Sequence, residues 1–265
     1  MLNAPASIEK LTWIMSKLRD PVNGCPWDIK QSFDTIVPHT IEEAYEVAEA
    51  IAEKDFEELE KELGDLLFQV IFYAQLGKED ERFDFDSIVA TVCEKLIRRH
   101  PHVFANEQLQ TDQEIKANWE NEKAKERAQK AGSEDISVLA DIPKALPALS
   151  QAAKIQKRCA NVGFDWDNIN DVLAKVKEEV QEVEEELDTP GDALNEELGD
   201  LLFAVVNLCR HAKQDPEYLL KQANRKFTSR FKTVEQLAQD KQQSLDAMSL
   251  QQLDQLWDIA KKTNS

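Results

Sequence analysis

The sequence predicts an all-α fold built of two tandem helical units, and three observations carry that prediction. Glycine (7) and proline (9) are scarce among 265 residues, while the strong helix formers Ala, Leu, Glu, Lys and Gln are abundant. Apolar residues recur at the spacing of amphipathic helices, and no convincing series of alternating strands is present. The stretch ELGDLLF occurs twice, as Glu62 to Phe68 and as Glu197 to Phe203, an identity too long to arise by chance in one chain. The chain is therefore read as two copies of one unit of four-helix-bundle type: a first domain over 1–130, a linker over 131–147 and a second domain over 148–265.

Taken in order, Ile8, Leu11, Ile14, Met15 and Leu18 have a helical period, which ends at Asp20 and Pro21. Asn23 to Asp28 reads as a loop by its turn residues, with Trp27 and Asp28 added to it. Thr40 is the expected N-cap of the next helix, because Glu43 three residues on would complete a capping box, and the helix runs to about Glu53. It carries Glu42, Glu43 and Glu46 in the pattern EExxE. The helix of the first ELGDLLF follows, with Glu62 and Asp65 on one face and an apolar run nearly all round, so it is expected to be buried. Asp86 to Arg99 is amphipathic and ends in Lys95, Arg98 and Arg99, and a further helix surrounds Trp119 and Lys123. Ala131 to Asp135 is the best linker candidate, and Pro143 and Pro147 punctuate the entry to the second half.

The second half repeats these features in the same order. Gly163 to Asp167 echoes Gly24 to Asp28, and Glu178, Glu179 and Glu182 restate EExxE before the second ELGDLLF. Lys226 and Arg230 are spaced like Lys95 and Arg99, and Trp257 with Lys261 matches Trp119 with Lys123.

A formal net charge of −19 repels a polyphosphate backbone at long range, which argues against duplex nucleic acid as a partner. The four cysteines, Cys25, Cys93, Cys159 and Cys209, form no CxxC pair and read as reduced thiols, as expected in the cytoplasm. No apolar run approaches the roughly 20 residues that span a bilayer, and no signal-like N-terminus is seen, so a soluble protein is expected without a membrane partner.

The recurring carboxylates need a cation. Two of them about 4 Å apart repel by roughly 4 kcal/mol at an effective dielectric near 20, so four gathered together are costly alone. All-oxygen ligands select Mg²⁺, Mn²⁺ or Ca²⁺. The Glu-x-x-His pattern of helical di-iron sites is absent, and His39, His100, His102 and His211 lie outside the carboxylate motifs. Mg²⁺ completes its shell with water and substrate phosphates, and neighbouring Lys226 and Arg230 suit further phosphate oxygens, which makes a nucleoside polyphosphate the economical substrate. Trp257 is a candidate to stack on a base.

Together these residues resemble the MazG family of all-α nucleoside triphosphate pyrophosphohydrolases, whose signature is EExxE followed by ExxD; the doubled layout, with CPWD early in the first copy, looks like the bacterial full-length form. The resemblance implies Mg²⁺-dependent hydrolysis of ATP and other nucleoside triphosphates to a monophosphate and pyrophosphate, with Mn²⁺ as a substitute ion, by a homodimer of intertwined helical bundles. It implies Glu179, Glu182, Glu197 and Asp200 as metal ligands, with Glu178 and Glu196 supporting them or orienting water. Lys175, Lys226, Arg230 and Lys261 would hold the triphosphate with Glu178, Glu179 and Glu196 beside it, and Trp257 would lie near the base. Glu43, Glu46, Glu62 and Asp65, with Lys95 and Arg99, are the equivalents in the first copy. That copy has His39 where the second has Lys175, and Lys61 where the second has Glu196, so the second is expected to be the main catalytic centre. Two alternatives stand beside this reading: a narrower all-α pyrophosphatase for deoxyuridine or deoxycytidine nucleotides, and a non-catalytic acidic scaffold that binds metal or nucleotide.

Overall fold

The computed structural model describes residues 2–105, 111–131, 137–188 and 191–263. Among them every regular element is helical and no strand occurs. The chain divides into two compact units after Lys123. The expected linker at Ala131 to Asp135 lies, apart from Ala131, outside the described residues.

The first unit begins with α1 (Ile8–Leu18), capped by the Ser7 side chain accepting from the Lys10 N–H. After α1 the chain turns so tightly that a Cβ on Gly24 would be driven into the carbonyl oxygens of Leu18 and Asp20. The stretch read as a loop then forms a one-turn helix, α2 (Pro26–Ile29), because Pro26 at its first position is pre-set for helix and loses no bond there.

The next helix, α3 (Phe33–Glu53), starts seven residues before the expected Thr40. Its cap is Ser32, in a reciprocal box with Thr35, and the helix runs on through Pro38. Thr40 lies inside the helix, its hydroxyl on the Ile36 carbonyl at 3.2 Å and on the Tyr73 hydroxyl at 2.9 Å. Lys54, with φ of 60°, and the Asp55 cap reverse the chain into α4 (Phe56–Glu79), which makes a helical hairpin with α3. α1 packs on α4, and Met15, Ile36, Ile71, Phe72 and Leu76 form the core between these helices.

α5 (Phe85–Arg99) is capped by an Asp84–Ser87 box, and α6 (Pro101–Phe104) follows it. α7 (Asp112–Ala131) carries Trp119, which packs edge-on to His100 with centroids 5.2 Å apart.

The second unit repeats the central arrangement. α8 (Ala148–Ala160) packs on α10 (Asp192–His211), and α10 pairs with α9 (Ile169–Glu186) as α4 pairs with α3. α11 (Pro216–Asp240) and α12 (Leu250–Thr263) pack together through Val234, Ala238, Leu256 and Ala260.

The ELGDLLF helices are not buried all round as expected. Within one chain Leu63 is 49 % exposed, Leu198 43 % and Leu202 60 %. A helix in a hairpin covers its apolar surface only on the faces its own neighbours reach, and α4 and α10 are apolar on a further face. Among the described residues no helix is long and apolar enough to cross a membrane.

Candidate carboxylate site

In the second unit, α9 and α10 put their acidic faces together. Glu179 and Glu182 lie one turn apart on α9, and Glu197 faces them from the start of α10; one carboxylate oxygen from each falls within 4.8 Å of the others. Glu179 is buried, 4 % exposed. Removal from water raises the carboxyls of Glu182 and Glu197 above their ordinary value, and neighbouring charge adds to this, Glu179 for the first and Asp200 followed by Glu179 for the second. Lys175, one turn before, bonds Glu178 and Glu179, each at 2.7 Å, and these bonds raise its own pKa.

The cluster opens into a cavity of about 390 Å³, lined on one part by Lys175, Glu179 and Asp200 and elsewhere by Phe164, Trp166, Val172 and Phe203. Its wall is braced by Asp165, which accepts from the Arg210 guanidinium (2.9 Å from Nη1) and lies 2.9 Å from His211 Nε2. These bonds, led by that from Arg210, lower the Asp165 carboxyl to about 2.

The first unit holds a parallel cluster of Glu43, Glu62 and Asp65, again with oxygens within 4.8 Å. Burial and Asp65 raise the carboxyl of Glu43, and burial and Glu46 raise that of Glu62. His39 stands where Lys175 does, 3.7 Å from Glu42.

A family model described as the MazG nucleotide pyrophosphohydrolase domain matches residues 31–104 and again 168–236, so each match contains one carboxylate cluster. The chain is 50% identical over 258 residues to the nucleoside triphosphate pyrophosphohydrolase of Escherichia coli K12, covering 96% of this chain and 97% of that one. This chain belongs to the MazG family. It is also 42% identical to the nucleoside triphosphate pyrophosphohydrolase/pyrophosphatase MazG of Thermotoga maritima, over 98% of both chains. A solved structure, the mazG-related protein from Thermotoga maritima, matches 44% of this chain and 98% of its own at 32% identity and a TM-score of 0.38.

Each MazG domain thus brings its carboxylates together from a helical hairpin, as the paired motifs suggested, but not every expected residue arrives. The three-carboxylate groups omit Glu46 and Asp200, although Asp200 lines the cavity and acts on Glu197 electrostatically. Glu178 and Glu196 are exposed; Glu178 is held by Lys175, and Glu196 acts on Glu197 through its charge. Lys61 bonds Glu58 at 2.7 Å and also interacts through its charge with Glu62 of the first cluster.

The cavity is not lined by Lys226, Arg230, Trp257 or Lys261. Trp257 packs on Phe227 with centroids 4.9 Å apart, Lys261 bonds Asp258 at 2.6 Å, and the Arg230 Nε is buried without a partner. Lys95 and Arg99 lie on α5, outside the first cluster. The pattern also missed Gln156, Asn207 and Arg210 in the cavity wall. A signal was present: ten residues after the Glu of each ELGDLLF stand Phe72 and Asn207, an apolar residue against an amide.

Proposed function

We propose that this chain is a Mg²⁺-dependent nucleoside triphosphate pyrophosphohydrolase, converting ATP and other nucleoside triphosphates with water to a monophosphate and pyrophosphate, and that its second domain is the main catalytic centre. The observation that carries this is the group of Glu179, Glu182 and Glu197 beside Lys175 at the edge of a cavity of about 390 Å³, within the size range of small-molecule sites. The names of the E. coli and Thermotoga relatives support the reaction. An all-oxygen donor set whose carboxyls are already held above their ordinary value suits a hard divalent cation, Mg²⁺ or Mn²⁺. Glu179, Glu182, Glu197 and Asp200 would hold it; bound there, it supplies charge neutralisation for phosphate oxygens and leaving pyrophosphate.

The chain's own residues do the rest. Lys175 is positioned to turn its ammonium from Glu178 and Glu179 to an incoming phosphate, and the exposed Glu196, with Glu178 once Lys175 has turned away, would orient water for in-line attack on phosphorus. Lys226, Arg230, Lys261 and Trp257 enter this reading on the sequence pattern alone. The first domain, with His39 in place of Lys175, is the weaker site. Replacing Glu179 by Ala should lower pyrophosphate release at least about 10²-fold, and Glu43→Ala should leave most of it. Activity that survives Glu179→Ala and is abolished by Glu43→Ala would reverse the assignment.

The functional form we propose is a homodimer of intertwined bundles, with the units 1–130 and 148–265 joined by the segment between them. The uncovered apolar residues of α10 and α11, Leu202 and Phe227 among them, support a second copy as their cover. The four free thiols support a reducing compartment, the cytoplasm.

A further inference from the structure

The first carboxylate cluster differs from the second at two facing positions, and at both a side chain that cannot ligate a metal is replaced by one that can. His39 stands one turn before Glu43 on α3, where the second unit has the ammonium of Lys175 one turn before Glu179 on α9. On the partner helix the identical heptapeptides set the register, and Gln69 stands where the second unit has Ala204. Lys175 and Ala204 line one cavity together with Glu179 and Asp200, so in this fold both positions face the carboxylates. In the first unit they hold an imidazole and an amide beside Glu43, Glu62 and Asp65.

The amide points to a ligand by its own state. Gln69 is 6 % exposed, and its Oε1 is buried with no hydrogen-bond partner, a condition that costs free energy until something fills it. Side chains on a helix lean toward its N-terminus, so Gln69 leans toward Asp65, one turn before it on the same face of α4. His39 is half-exposed; its Nδ1 lies 3.7 Å from Glu42, too far for a hydrogen bond, and its ring meets Trp27 edge-on. The ring can therefore turn toward Glu43, as Lys175 reaches Glu179 at 2.7 Å from the same position. A space of about 120 Å³ adjoins the cluster and is lined by Ala50 and six acids, Glu46 and Glu62 among them. Such an approach draws in a cation and repels a polyphosphate.

We propose that the first domain carries a transition-metal site of its own, in which His39 Nε2 and Gln69 Oε1 join Glu43, Glu62 and Asp65 around a first-row ion of the Zn²⁺ type. The proposal goes beyond the reaction assigned to the second domain and does not depend on it. Imidazole suits Zn²⁺ and its neighbours, whereas Mg²⁺ takes oxygen ligands, so a mixed set separates this site from the all-oxygen set of Glu179, Glu182, Glu197 and Asp200. The ion offsets the charge of three carboxylates, gives Gln69 Oε1 its missing partner and ties α3 to α4.

The test titrates the full chain, labelled with ¹⁵N-histidine, with Zn²⁺ in excess Mg²⁺, which fills all-oxygen sites. The chain has four histidines, so each imidazole can be followed by nuclear magnetic resonance. At one Zn²⁺ per chain the His39 ring should take on a metal-bound nitrogen shift, and His100, His102 and His211 should stay in place. A His39 ring that does not move, or movement of another histidine in its stead, overturns the proposal. Calorimetry under the same conditions should show Zn²⁺ affinity lowered at least about ten-fold by His39→Phe and by Gln69→Leu, which keep the shape and remove the donor atom. Gln69→Glu, which keeps an oxygen there, should bind at least as tightly as the native chain. Unchanged affinity in His39→Phe or in Gln69→Leu overturns the site. Should Gln69→Leu melt by circular dichroism below the titration temperature, His39→Phe and the His39 resonances decide. Glu179→Ala, which disables the second cluster, should leave the His39 shift intact; its loss would place the ion in the second domain and overturn the proposal.

Discussion

Asp165 shows how one residue sets the shape of the site without belonging to the carboxylate cluster. It ties the loop before α9 to Arg210 and His211 at the end of α10, and so holds Trp166 at the mouth of the cavity. Its carboxyl is lowered from 3.8 to about 2, so the folded state favours the charged form. The resulting stability is present above the unfolded value of 3.8 and is lost as pH falls toward about 2. The group is partly open to solvent, and screening reduces its contribution to about 1 kcal/mol. Urea unfolding of Asp165→Asn should show a loss of that size at pH 7, and the gap to the native protein should narrow as pH falls through 3.8.

At the scale of the element, the helical hairpins carry the chemistry because they bring acids on two helices to one place, and the core beneath holds that geometry. Phe72, 1 % exposed, packs with Met15 and Ile71 under the first hairpin. Phe72→Ala should cost about 3–5 kcal/mol, read as a fall in the denaturation midpoint. Gly24→Ala should also destabilise, by more than about 2 kcal/mol, since the atoms its Cβ would meet are backbone carbonyls that cannot swing aside.

For the whole molecule, two measurements test the proposed metal ion and the proposed dimer. Mg²⁺ at about a hundred times its dissociation constant should add ~2.7 kcal/mol of stability through binding to the native state, seen as a rise in melting temperature that Glu197→Gln diminishes. Sedimentation should give the mass of two chains, near twice 30.2 kDa, and Leu202→Glu, which places a charge on a face 60 % exposed in the single chain, should shift it toward one.

Much of the fold was legible in the sequence because helix period and caps are local properties: α1 and α5 fall within a residue of their expected bounds. The start of α3 differs from the expected one because its box pairs Ser32 with Thr35, which lacks the usual Glu or Gln at the third position, whereas Thr40 and Glu43 match that pattern from inside the helix. The carboxylate clusters were legible because spacing along a helix fixes which side chains share a face. Which residues meet across helices was not. The amides of Gln156 and Asn207 are 51 residues apart and form one cavity wall only after α8 and α10 have packed. By itself the sequence determined two all-α units, the acids in each and the family to which they point. Tertiary structure alone decided that Trp257 packs on Phe227 and that Gln156 and Asn207 line one cavity, since each depends on side-chain packing between segments that local spacing does not relate.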